Sequence, residues 1–138
     1  MPRYMSQVRA TAMSEAGDFP DDPTLVPRMM AFHDEMAAAG VLLDGAGLQA
    51  SSRGWRIHYS AGDRRTVTDG PFAESKELIA GYTLIQVRSR EEALEWSRRF
   101  PNPVGEGMEA DIEVRQLYEL EDFGETEQTR RFRDLGMG

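Results

Sequence analysis

Acid–base chemistry needs a titratable side chain held in a cleft, and few residues of this 138-residue chain are placed for it. The histidines are His33 and His58. His33 shares one side of a helical pattern with Met29, Met30 and Met36. A histidine in such a stripe is more often a core residue with one hydrogen bond than a base. His58 stands opposite Trp55, Ile57 and Tyr59 in an alternating segment and so faces solvent. Asp69 and Glu77 are the candidate carboxylates. Asp69 opens the stretch Asp-Gly-Pro-Phe. Buried against Phe72 it would suit a proton shuttle; the plainer role is to cap its turn by accepting from a backbone N–H. Glu77, beside Lys76, reads either as a catalytic carboxylate or as half of a solvated ion pair. Asp69, His33 and Glu77 are therefore the candidate catalytic set. Asp44, next to Gly45 and Gly47, marks a place where backbone can approach a ligand closely, or a bulge. Phe72, Arg65 and Arg115 complete a candidate ligand pocket, with the arginines as anchors for a carboxylate.

Other chemistries are set aside by composition. The chain has no cysteine, which excludes disulfides, thiolate catalysis and cysteine-ligated metals. Two histidines twenty-five positions apart do not make a metal-ligand spacing. Asp-Gly-Ala-Gly-Leu-Gln lacks the pattern and the following helix of a phosphate or dinucleotide loop. No cofactor and no metal are expected. The formal net charge is −8, and the arginine pairs 64–65, 98–99 and 130–131 are scattered among acids, so no nucleic-acid partner is expected. Apolar runs are too short for a membrane span, and Met1-Pro2-Arg3-Tyr4 lacks the apolar core of a signal peptide. A cytoplasmic protein is the expectation.

These residues must be positioned by secondary structure, and the periodicities predict it. Tyr4 to Met13 reads as a strand and Ser14 to Thr24 as a loop. Thr24 to Ala39 reads as a helix with Thr24 as N-cap, Pro27 in its first turn and Gly40 as its stop. Its predicted apolar side is Val26, Met29, Met30, His33, Met36 and Ala37. A glycine-broken strand follows over Val41 to Gln49. Trp55–Ser60 and Arg65–Asp69 form a hairpin, and Gly81–Arg88, almost continuously β-forming, reads as a central strand. Ser89–Phe100 is a helix with a Ser89/Glu92 capping box and an apolar stripe of Ala93, Trp96, Ser97 and Phe100, widened by Leu94. Asp111–Leu120 is the last strand.

The order is β-α-β, a β-hairpin, then β-α-β. The expected fold is α+β: a ferredoxin-like split βαβ with an inserted β-hairpin, one antiparallel sheet and two helices on one face. The bare face asks for a cover, and a second copy of the chain is the expected one. Residues 1–120 are expected to form a single domain and residues 121–138 a charged tail, loosely ordered or a short helix.

The stretch TDGPFAESKELIAGYTLIQV resembles the signature of DGPF-domain proteins, a branch of the YCII-related family. Other pieces match in order: RYM, HDEMAAAGVLLDGAGLQ, SREEALEWSRRFP and IEVRQLYE, covering roughly Arg3 to Leu120. The resemblance implies a dimeric α+β barrel, a homodimer, and a pocket between sheet and helices. Many such proteins resemble accessory proteins encoded beside extracytoplasmic-function sigma factors. Some relatives resemble lactone isomerases or dehydrochlorinases of aromatic breakdown. The wider family carries a His–Asp pair, and its histidine would fall near Met29 here, which takes no proton; His33 lies about one turn later. Two expectations stand. One is a small-molecule-binding or regulatory homodimer, with a sigma-factor link. The other is a cofactor-free isomerase or lyase acting on a small aromatic or carboxylated substrate through Asp69 with His33 or Glu77. The missing histidine favours the first.

Overall fold

One face of a four-stranded antiparallel sheet collects the buried side chains of the core. The computed structural model describes residues 1–73 and 77–138; Glu74 and Lys76 of the DGPF stretch lie outside the described residues. The strands are β1 (Arg3–Arg9), β2 (Leu42–Gly47), β5 (Ile79–Gln86) and β6 (Ile112–Gln116), in the order β2-β5-β1-β6. The predicted central strand is therefore internal. Its alternation buries Gly81, Thr83 and Ile85 and leaves Tyr82, Leu84 and Gln86 half-buried on the other face. Pairing of Tyr4 with Ile85 and Ser6 with Thr83 puts these buried side chains on one face.

Helices α2 (Leu25–Ala38) and α3 (Arg90–Arg98) contribute to the core on that face. Phe32 and Met36 of α2 and Ala93 of α3 join Tyr4, Val41, Ile85 and Val87, with Trp96 and Phe100 packed against the cluster. Phe32 stands edge-on to Trp96 and to Phe100, with ring centroids 5.9 and 5.5 Å apart. The predicted stripe on α2 is rotated by one position. Val26 and Met30 are 69% and 63% exposed, whereas Leu25, Phe32 and Met36 are buried. Residues 25, 29, 32 and 36 follow a helical face, and His33 sits at its edge. On α3, Leu94 is exposed and does not widen the stripe.

Caps explain two further departures from expectation. The strand expected to reach Met13 ends at Arg9, and Ala12–Glu15 form a single helical turn, α1. Thr11 Oγ1 accepts from the Ser14 N–H while Ser14 Oγ accepts from the Thr11 N–H, which closes a helix start in place of the ladder. Thr24 occupies the N-cap position of α2 but makes no side-chain cap; its hydroxyl and N–H both donate to Asp22 Oδ1, and Asp22 Oδ2 pairs with Arg28 at 2.7 Å. These contacts hold the Asp22 carboxyl below its ordinary 3.8, the Thr24 hydroxyl first. Ser89 caps α3 as expected, accepting from the Glu92 N–H; Glu92 Oε2 accepts from the Arg88 N–H instead of that of Ser89.

The inserted hairpin, β3 (Trp55–Ser60) and β4 (Arg64–Asp69), forms its own two-stranded sheet. Every residue of both strands is exposed. Gly62 and Asp63, both at positive φ, make the turn. The hairpin is held at its base, where the Gly70 N–H donates to Gly54 O at 3.0 Å and the Phe72 N–H to Ser51 Oγ at 3.0 Å. The tail contains α4 (Glu127–Asp134), capped by Thr126 and Thr129 and tied by Arg133 to Glu121 and Glu125.

A Cβ on Gly70 would lie 1.9 Å from the Ser51 carbonyl oxygen. Gly70→Ala is expected to lower the melting temperature by roughly 3–10 °C, the cost of overpacking against backbone. An unchanged melting temperature would mean that the hairpin base does not dock on Ser51. Because the Asp22 pKa is depressed, its stabilisation is present above the unfolded-state value and lost as pH falls through the folded one. Thr24→Val is expected to move the Asp22 midpoint up toward 3.8 in an NMR titration; no movement would remove the Thr24 hydroxyl as the main cause.

Candidate functional site

Glycine determines where this fold is hollow. On the helix-facing side of the β2–β5 pair, Gly45 lies opposite Thr83 and Gly47 opposite Gly81. With no side chains there, the sheet leaves a floor under the first half of α2. The resulting cavity has a volume of about 1100 Å³. Its lining comes from α1, α2, β2, the start of β5 and the segment after α3; Met13, Phe19, Met29, Phe100 and Pro103 supply apolar walls. This is a size and character suited to a small organic ligand.

His33 reaches this cavity from the edge of the α2 stripe, with both ring nitrogens engaged. Nδ1 lies 2.8 Å from the Met29 carbonyl oxygen and Nε2 lies 2.9 Å from Thr83 Oγ1. A carbonyl only accepts, so in the neutral ring Nδ1 carries the proton. Nε2 is then the acceptor, and the Thr83 hydroxyl donates to it. The ring also stands edge-on to Phe32 and Phe100, with centroids 6.0 and 6.1 Å away. His33 is thus both packed and polar: its free lone pair is already filled by Thr83.

Asp44 also lines the cavity. Its Oδ1 accepts from the Gly45 N–H at 2.8 Å and its Oδ2 from the Tyr82 O–H at 3.0 Å. That hydrogen bond, and then the carboxylate charge, raise the Tyr82 phenol above its ordinary 10.0. The ladder shifts register between Leu42 and Asp44, the irregularity expected of this glycine-broken strand.

The other candidate residues lie elsewhere. Asp69 ends β4 opposite Trp55, exposed, and Glu77 is exposed; neither is part of the cavity lining. The turn after Asp69 is not capped as expected, because Pro71 has no N–H and the Phe72 N–H donates to Ser51. Phe72 is half-buried under the Arg56 guanidinium, 3.8 Å from its ring centroid, and lines a separate cavity of about 470 Å³ with Glu15 and Trp55. Arg65 lies over the Tyr59 ring at 4.8 Å on the hairpin. Arg115 pairs with Glu113 at 3.3 Å on β6. The cavity lining includes His33 and Asp44, but the Asp44 carboxylate is turned to Tyr82, on the sheet face away from His33, and Asp69, Glu77, Arg65 and Arg115 lie apart from both. The structure adds Thr83, a small polar residue between Tyr82 and Leu84 on the buried face of β5. It also adds Glu15 and Ser51, which carry no local signal. Among the described residues no group of three His, Asp or Glu side chains gathers as a metal site, and no helix is long and apolar enough to cross a membrane.

Comparison with known proteins supplies the family. The uncharacterized protein R00369 of Rhizobium meliloti (strain 1021) is 34% identical over 82 residues, 59% of this chain. The chain spans 65% of that protein's length. The family model of the YCII-related domain matches residues 4–118, from β1 to just beyond β6. A match over that much of the fold means that the chain belongs to the YCII-related domain family.

Proposed function

We propose that this protein is a homodimer that binds a small organic molecule and acts through that binding, in a regulatory role, rather than by turnover. The observation that carries the reading is the glycine-floored cavity, apolar-walled, with the His33–Thr83 pair at one end. The sequence resemblance to accessory proteins of extracytoplasmic-function sigma factors supports a regulatory outlet. The alternative, a cofactor-free isomerase or lyase, needs a carboxylate brought to the His33 ring. Asp69 and Glu77 are outside the cavity lining, and the ring nitrogens are both occupied, so binding is the reading adopted.

A second copy suits the strand face opposite the helices. Met5 pairs with Leu84 and Gln7 with Tyr82 there, flanked by the Arg115–Glu113 ion pair of β6 and by Asp44, which accepts from Tyr82. Two such faces stacked would bury them.

A melting screen over aromatic acids, phenols, lactones and common metabolites tests the binding. A true ligand at one hundred times its Kd adds about 2.7 kcal/mol and should raise the melting temperature by several degrees. A library that leaves the melting temperature unmoved would sink the small-molecule reading and turn attention to protein partners. Hits that are consumed during incubation would favour the enzyme. For the dimer, sedimentation should give about twice the 15.5 kDa chain mass, and Leu84→Glu should give a folded monomer by circular dichroism. A wild-type monomer would overturn that part.

A further inference from the structure

The hydrogen-bond polarity of the cavity is set before any ligand arrives, and we infer from it the class of ligand that fits: an uncharged molecule with an apolar, aromatic-sized body and a hydroxyl or amino hydrogen donated to Thr83. The inference rests on the reading of the cavity as a small-molecule site. It chooses against a carboxylate there.

The Met29 carbonyl can only accept, so His33 Nδ1 is the donor of that contact. Neutral imidazole then offers a single acceptor, Nε2, and the neighbouring hydroxyl of Thr83 must supply the hydrogen. A threonine hydroxyl has one hydrogen and two lone pairs. Its hydrogen is used on His33, so what Thr83 can show a ligand is a lone pair. A carboxylate is acceptor-only, and it would face an oxygen with no hydrogen to give. A phenol, alcohol or neutral aromatic amine presents the complement.

Space for that group is visible at Gly45. A Cβ there would sit 3.3 Å from the Tyr82 carbonyl oxygen, 3.7 Å from Thr83 Oγ1 and 3.9 Å from His33 Nε2. The absent side chain keeps open the approach to the hydroxyl. Thr83 is only 4% exposed yet lines the cavity, so a hydrogen bond made there would be shielded from water. The walls beside it, Met29 and Phe100, suit an aromatic body.

The test uses three probes of one shape: para-ethylphenol, its methyl ether and para-ethylbenzoate. Each is titrated by amide NMR into the full-length protein. The phenol is expected to bind about tenfold or more tightly than either companion, the worth of one hydrogen bond, and to shift the Gly45 and Thr83 amides. Gly45→Ala is expected to weaken the phenol by about tenfold while leaving distant amides in place. Equal binding of phenol and ether, or tighter binding of the benzoate, would overturn the donor class and leave the cavity as a ligand site. Failure of all three to bind would bring down the cavity reading and this one together. An independent check needs no ligand: long-range proton–nitrogen spectra of His33 should show the hydrogen on Nδ1. A hydrogen on Nε2 would reverse the polarity and refute the inference.

Discussion

A three-way hydrogen-bonded contact centred on Ser51 ties α1 and the base of the hairpin together outside the main sheet. The Ser51 N–H and hydroxyl both donate to the Glu15 carboxylate, and Ser51 Oγ accepts from the Phe72 N–H. The contact joins α1, the turn after β2 and the turn after β4, segments far apart in sequence. Hydrogen bonds to an ionised carboxylate are roughly twice as strong as neutral ones. Here they also satisfy backbone that would otherwise be exposed at a loop junction. The close fit of Gly70 against the Ser51 carbonyl follows from the same contact, since only a residue without a Cβ lets the two backbones meet. The DGPF stretch, read from this side, is a docking turn: Gly70 gives the approach and Phe72 gives an N–H to Ser51 and a ring to Arg56.

The cavity depends on that junction because α1 forms part of its wall. Its floor reflects a different trade. Glycine in a strand costs on the order of 0.5–1 kcal/mol against alanine, and β2 carries two, Gly45 and Gly47. Gly81 has a packing reason, since its Cβ would meet the Ala46 oxygen at 3.0 Å. Gly47 has open space above it, so packing does not demand it. Hollowness at that end of the sheet contrasts with the other end, where Met36, Ile85 and Val87 are almost fully buried. One half of the α2–sheet interface is filled for stability, and the other half is kept open.

The hairpin is the element least supported by its own chain. Its strands pair with each other alone, and Trp55, Ile57, Tyr59 and Val67 are between 44% and 64% exposed. A two-stranded ribbon is marginal by itself in water. Its anchorage at Gly54, Gly70 and Phe72 therefore matters more than its internal ladder.

Local pattern in the sequence determined the α+β class, the order of the main elements, the central place of β5 and the Ser89 cap, because period and capping chemistry are properties of neighbouring residues. It also singled out His33 and Asp44. It misjudged which side of α2 is buried, since Val26 and Met30 are as apolar as the residues that pack, and only the position of the sheet distinguishes them. It marked the hairpin as an insertion but not where it docks, because alternation says that a strand has two faces and not what lies beside it. The pairing of His33 with Thr83, fifty positions apart, and of Glu15 with Ser51, thirty-six apart, was decided by tertiary structure alone. Hydrogen bonds between distant segments depend on register and helix placement, and those arise from the packing of the whole chain.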